Sequence, residues 1–265
     1  AHFDAHFAPY LACFQSRTRS VEDAARLYLH GLFQCHRRNM EKMAEAVSGS
    51  HYQRLHHMLS ESSWNRSGVR QQLIADANNH FGYASALVID ESAFAKKGEM
   101  SAGVARQWNG RLGKTDNSQV GVFAAVVRDR VAALVEGELY IPEEWFADPT
   151  RCREAGIPEG SEFCTKGEMA LNMIHRLRRE GLRFSHVVFD AGYGHLPWLL
   201  RALEGEGETF LAEIHADQAI YLSDPAPAVP ARQSTRGKTP CRLQAQITPL
   251  TMTAWAMTQP ASRWC

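Results

Sequence analysis

Two aspartates close apolar runs: Asp90 ends the stretch ALVID (86–90) and Asp190 ends HVVFD (186–190). Two carboxylates brought together repel unless a cation sits between them, and hard oxygen ligands suit magnesium or manganese. Metal held in this way activates an attacking oxygen and stabilises a leaving one in phosphoryl transfer. Glu91 follows Asp90 directly, but side chains alternate along a strand, so only one of the pair can face Asp190. Asp90 is assigned as the metal ligand and Glu91 as a supporting acid behind it. Lys96, Lys97, Arg106, Arg111 and Lys114 follow along a glycine-dotted stretch with few acids. Such a run suits the phosphates of a DNA backbone, and Trp108 beside Arg106 could stack on a base. The ordinary alternatives are an aspartate that caps a turn or helix and a solvated hairpin surface.

The elements that must position these groups follow from the patterning. Residues 1–83 carry helical spacing: a segment after Ser20-x-x-Asp23, a second over 40–47, and two more over 52–64 and 69–81 with a break at 64–68. This is expected to be a helical DNA-binding domain, with Arg54, Arg66 and Arg70 as candidate phosphate contacts. From Ala84 the period becomes that of strands, over 86–90, 120–129 and 131–142, the last two joined by a tight turn at Arg128-Asp129-Arg130. A helix over 166–180, a strand over 186–190, a helix over 196–206 and a strand over 209–214 complete a β-β-β-α-β-α-β order. Three antiparallel strands followed by helix-linked strands predict an α/β fold with a mixed, ribonuclease-H-like sheet over residues 84–222. In that order the strands ending on Asp90 and Asp190 are neighbours. Residues 223–265 begin as a Pro-, Ser- and Arg-rich linker, and 244–250 and 251–257 are expected to be strands of an unfinished insertion.

Composition sets the limits. The chain has 265 residues, 45% hydrophobic and 22% charged, with no net charge. Zero is an average: residues 1–83 carry +2, 84–222 carry −6 and 223–265 carry +4. This permits nucleic-acid binding without demanding it. No run of eighteen apolar residues and no basic-then-apolar leader occurs, so neither membrane span nor secretion is expected and the cytoplasm is the default. The six cysteines are far apart and read as free thiols. A start on Ala1 and a stop at Cys265 would suit a fragment.

Five stretches, LVIDESAFAKKG (87–98), SAGVARQWNGRLGKTDNSQVGVF (101–123), ELYIPEEWFADPTRCREAGIPE (138–159), FCTKGEMALNMI (163–174) and VVFDAGYG (187–194), resemble the DDE transposases of bacterial insertion sequences. The resemblance implies that Asp90 and Asp190 are the first and second catalytic acids. It implies an enzyme that binds element ends, nicks DNA with magnesium and joins the freed 3′-hydroxyl to target DNA, commonly as a homodimer. It also implies a third acid, a glutamate beyond a β-rich insertion, yet no glutamate follows Glu213. The chain therefore reads as a C-terminally truncated transposase whose metal site lacks one acid and which still folds and binds DNA. Two alternatives stand: a non-catalytic DNA-binding regulator derived from a transposase, and an adenosylmethionine-dependent methyltransferase suggested by the glycines of FDAGYGH (189–195).

Overall fold

A computed structural model describes residues 2–15, 20–231 and 242–258. The chain divides into two compact units, one running to Ser185 and one from His186. In the first unit, α1 (His2–Phe7) and a 3-10 turn (Ala8–Phe14) precede α2 (Glu22–Gln34), α3 (Met40–Ala46), α4 (Tyr52–Ser60) and α5 (Arg66–His80). The helices from α2 to α4 lie about where periodicity puts them, whereas α5 starts at Arg66, inside the expected break, because Asn65 caps it by accepting the Gly68 amide. Helix α2 starts without a side-chain cap, so Ser20 and Asp23 form no capping box. The apolar spacing of α2 seats Ala24 and Ala25 against Phe7 and Met58, while Met43 and Leu55 meet Cys35 in an adjoining cluster.

The strands of this unit are β1 (Ala86–Ala95), β2 (Ala105–Asn109), β3 (Lys114–Arg128) and β4 (Val131–Tyr140). Strand β3 pairs antiparallel with β1, β2 and β4. The β3–β4 turn places Asp129 at φ 56°, the left-handed conformation that Asp tolerates. Two sequence expectations need correction. Strand β1 does not stop at Asp90 but runs five residues further, because Ser92, Ala93 and Phe94 continue the alternation that the carboxylates interrupt only in polarity. Strand β2 is invisible to patterning, since Ala105-Arg106-Gln107-Trp108-Asn109 has no apolar alternation and is held by its partner β3.

One face of this sheet is the core. Val120, Val122, Ala124 and Val126 of β3 and Leu87 and Ile89 of β1 are buried. After a 3-10 turn (Glu143–Ala147) and α6 (Pro149–Glu154), α7 (Lys166–Arg179) packs on β3 and β4. It buries Met169, Ala170, Met173, Ile174 and Leu177 at the helical spacing of an amphipathic face. The unit from His186 holds β5 (His186–Phe189), α8 (Ala191–Gly194), α9 (Pro197–Gly205) and β6 (Phe210–Ala212), with β5 and β6 parallel. It continues through a short pair, β7 (Ala219–Ile220) and β8 (Leu250–Thr251), into α10 (Met252–Met257). The expectation of a strand over 251–257 is thus corrected: Thr251 caps a helix by accepting the amide of Ala254. Cys13, Cys35, Cys152 and Cys164 are free thiols. Cys241 and Cys265, with 232–240 of the linker, lie outside the described residues.

Candidate active site

Alternation along β1 decides where each acid points. Leu87, Ile89 and Ala93 are buried on the core face, so Val88, Asp90, Ser92 and Phe94 lie on the other. Asp90 is exposed, opposite Phe123 of β3, and its Oδ1 accepts the Glu91 amide at 2.7 Å. Beside it the Phe123 ring lies flat across two glycines, where an added Cβ would come within 2.7 Å of the ring at Gly121 and again at Gly137. The Phe94 ring meets Phe123 edge-on at 6.4 Å. The first acid therefore stands on an open, partly aromatic sheet surface.

Glu91 faces the core side instead. Lys166 Nζ, at the start of α7, sits 2.7 Å from Glu91 Oε1 and 5.5 Å from the centre of the Tyr140 ring. Burial, then the charges of Glu143, Glu91 and Glu144, push the Tyr140 phenol above its usual range. The adjacent acids thus occupy opposite faces, and Glu91 is engaged by a lysine.

Asp190 follows β5 directly and caps α8. Its Oδ1 accepts the amide of Gly192 at 2.9 Å, and its carbonyl accepts those of Tyr193 and Gly194. The ordinary capping role of an aspartate after a strand is therefore present, on an exposed side chain. A Cβ at Gly194 would collide with the carbonyl oxygen of Glu213, so this position admits no side chain. Cap and close approach account for the glycines of FDAGYGH without a cofactor loop.

Of the five predicted cations, Arg106, Arg111 and Lys114 lie on the β2–β3 hairpin, and Lys96 and Lys97 on the segment between β1 and β2. Asn117 Nδ2 donates to the carbonyls of Lys96 (3.0 Å) and Gly98 (2.9 Å), and Gln119 Nε2 to that of Ala102 (2.6 Å). These bonds hold the segment after β1 as it crosses β3. Lys97, Arg106 and Arg111 are exposed and Lys96 half-buried. Lys114 pairs with Asp116 at 2.9 Å, and its hydrogen bond is the main reason that the Asp116 carboxyl sits below its usual range. The stretch is thus less free of acids than its sequence implies, because Asp116 lies just beyond it.

Of the candidate phosphate contacts in the helical region, Arg54 pairs with Asp23 at 3.2 Å and Arg66 lies 5.6 Å from the Trp64 ring. Arg70 is turned inward and bonds Glu136 (3.3 Å) on β4 and Glu180 (2.5 Å) after α7. Glu136 Oε2 also accepts from Arg176 (3.0 Å), which bonds Glu138 (2.9 Å) as well. Burial works against the Arg176 charge, but Glu138 and Glu136 outweigh it and raise its pKa. No sequence spacing links these residues, so reasoning along the chain missed them. It also missed Thr165 and Glu168, although Thr-x-x-Glu before an apolar helix is a readable signal; they form a reciprocal capping box at α7.

Among the described residues, no group of three or more His, Cys, Asp or Glu side chains converges as a metal cluster. The donor type nevertheless fits: magnesium is commonly held by one or two carboxylates plus water and substrate phosphate.

An α/β chain with acids at the ends or on the open face of its strands falls among the ribonuclease-H-like folds. The match to the family model of the DDE superfamily endonucleases covers residues 9–265. The chain belongs to that family, whose members generally use divalent metal ions. It is 31% identical over 179 residues to a probable transposase for insertion sequence element IS701 from Microchaete diplosiphon. That alignment covers 66% of this chain and 44% of the relative, so the chain spans less than half of the relative's length. No helix among the described residues is long and apolar enough to cross a membrane.

Proposed function

We propose that this chain is the DNA-binding and acid-bearing part of an insertion-sequence transposase, acting on element ends and target DNA in the cytoplasm. The observation that carries the reading is the open sheet face of β1 and β2, which presents Asp90 and Arg106 on the same side. Asp90 and Asp190 hold a divalent ion, magnesium or manganese, and Glu91 fixes β1 against α7 through Lys166. When bound, the ion supplies Lewis-acid activation of the attacking and leaving oxygens. Lys96, Lys97, Arg106 and Arg111 grip the backbone, with Lys114 released to it only when Asp116 gives way. Residues 1–83 form the helical DNA-binding region, 84–222 the catalytic core and 223–265 the linker and opening of an insertion. The active assembly is a homodimer.

A second reading, a non-catalytic DNA-binding regulator, is favoured by one observation: Asp190 Oδ1 already serves as the cap of α8 by accepting the Gly192 amide. One experiment separates the two. The chain is incubated with supercoiled plasmid carrying element ends, with magnesium or with chelator. Magnesium-dependent nicking that vanishes in Asp90→Asn and Asp190→Asn supports the enzyme. Salt-sensitive binding without nicking, unaltered or strengthened by the same substitutions, supports the regulator. Absence of DNA binding refutes both.

A further inference from the structure

We propose that Arg106 and Trp108 form a subsite for an unpaired nucleotide of the bound DNA, with Trp108 stacking on the base and Arg106 on its phosphate. The inference rests on the DNA-processing reading above and adds what the hairpin recognises.

Strand β2 is an edge strand whose two sides differ. Asn109 and Ser118, hydrogen-bonded at 3.0 Å, are buried on one side. Arg106 and Trp108 lie on the other, opposite Asn117 and Thr115. The indole is 60% exposed, so it contributes little to the core, and an apolar ring held in water beside a guanidinium suits a flat anionic partner. Register extends this side to Asp90: Trp108 pairs at Thr115 and Asp90 at Phe123, eight residues apart on β3. At ~3.4 Å per residue that is about 27 Å, the rise of about eight base pairs. Between the two positions runs the crossing segment with Lys97. A strand whose phosphate lies at Asp90 can therefore pass Lys97 and Arg106 and end against the ring.

Stacking between a ring and a splayed base requires open base faces, and bases paired in a duplex are stacked on their neighbours, which selects an unpaired nucleotide without reading its identity. The same patch of a second copy is a poorer occupant. Residues 96–116 hold five lysines and arginines against Glu99 and Asp116, so two such patches repel.

The test uses the full 265-residue chain in chelator, with a blunt duplex and the same duplex extended by a short single-stranded overhang containing 2-aminopurine. Wild type is expected to prefer the overhang and quench its fluorescence. Trp108→Ala should weaken overhang binding about five-fold or more, abolish the quench and leave blunt-duplex affinity unchanged, whereas Trp108→Phe retains most of both. Arg106→Ala should weaken both probes and lower the salt slope by about 0.9. Thermal melting checks that the variants fold. Equal loss on both probes, no loss with Trp108→Ala, or a change of oligomeric state in its place overturns the proposal. If Trp108→Ala is inert while salt-dependent duplex binding persists, only this inference falls; if neither probe binds, the DNA reading falls with it.

Discussion

A single carboxylate, Glu136, joins three elements. It accepts from Arg70 of α5 and Arg176 of α7 while itself on β4 and only 10% exposed. Removing it leaves two partly buried guanidinium groups with one carboxylate each, Glu180 for Arg70 and Glu138 for Arg176, so Glu136→Ala should lower unfolding free energy by about 2 kcal/mol. Denaturant titration of the whole chain measures this, and a change under about 1 kcal/mol would count against the network's importance. At Gly194 the constraint is steric. The Glu213 carbonyl leaves no room for a methyl, and Gly194→Ala should cost about 1–3 kcal/mol, read from the melting of the region after His186. At this scale the sequence is legible where a residue type follows a local pattern: Asp190, closing an apolar run, caps α8 as such an aspartate ordinarily does. The sequence is silent where meaning depends on contact between distant residues. Arg70 looks like a surface cation until Glu136, 66 residues away, is found beside it.

Helix α7 shows which elements can be read. Its apolar period predicts 166–180 and the helix spans Lys166–Arg179, because burial, capping and composition agree. Thr165 Oγ1 accepts the Glu168 amide, and Glu168 Oε2 accepts from the Thr165 hydroxyl and amide. Thr165→Ala should therefore cost about 1 kcal/mol. The bonds from the Thr165 hydroxyl and amide hold the Glu168 carboxyl below its ordinary value of 4.5. A carboxylate depressed in the folded state adds stability above its unfolded pKa and loses it as pH falls through the folded one. The deficit of Glu168→Gln relative to wild type should then shrink as pH drops below 4.5, as pH-dependent melting can show; a constant deficit would refute the linkage. Strand β2 is the counterexample. Its five residues have no strand pattern of their own, and only antiparallel pairing to β3 makes them one.

For the chain as a whole, net charge is zero, so the proposed attraction to DNA must be local rather than a property of the total field. With Lys96, Lys97, Arg106 and Arg111 engaged, the logarithm of affinity should fall with the logarithm of salt by about 3–4, and Arg111→Ala should reduce that slope by about 0.9. An unchanged slope would place the contacts elsewhere. The α/β class and the order of most strands and helices are legible because alternation and helical period are local. The longer course of β1 and the helix at 252–257 are not, since polar residues inside β1 mimic an end and Thr251, a strand former by type, acts as a cap. The Arg70 bonds reach further still. A helix riveted by ionic contacts to a strand and to a second helix's end cannot be exchanged like a cassette, and cutting residues 2–80 away would bare an acid that folding has largely withdrawn from water. On the proposed reading of residues 1–83 as the DNA-binding region, descendants of this chain that acquire new DNA preferences must therefore do so by resurfacing α2 to α4, with α5 kept as a fixed keel.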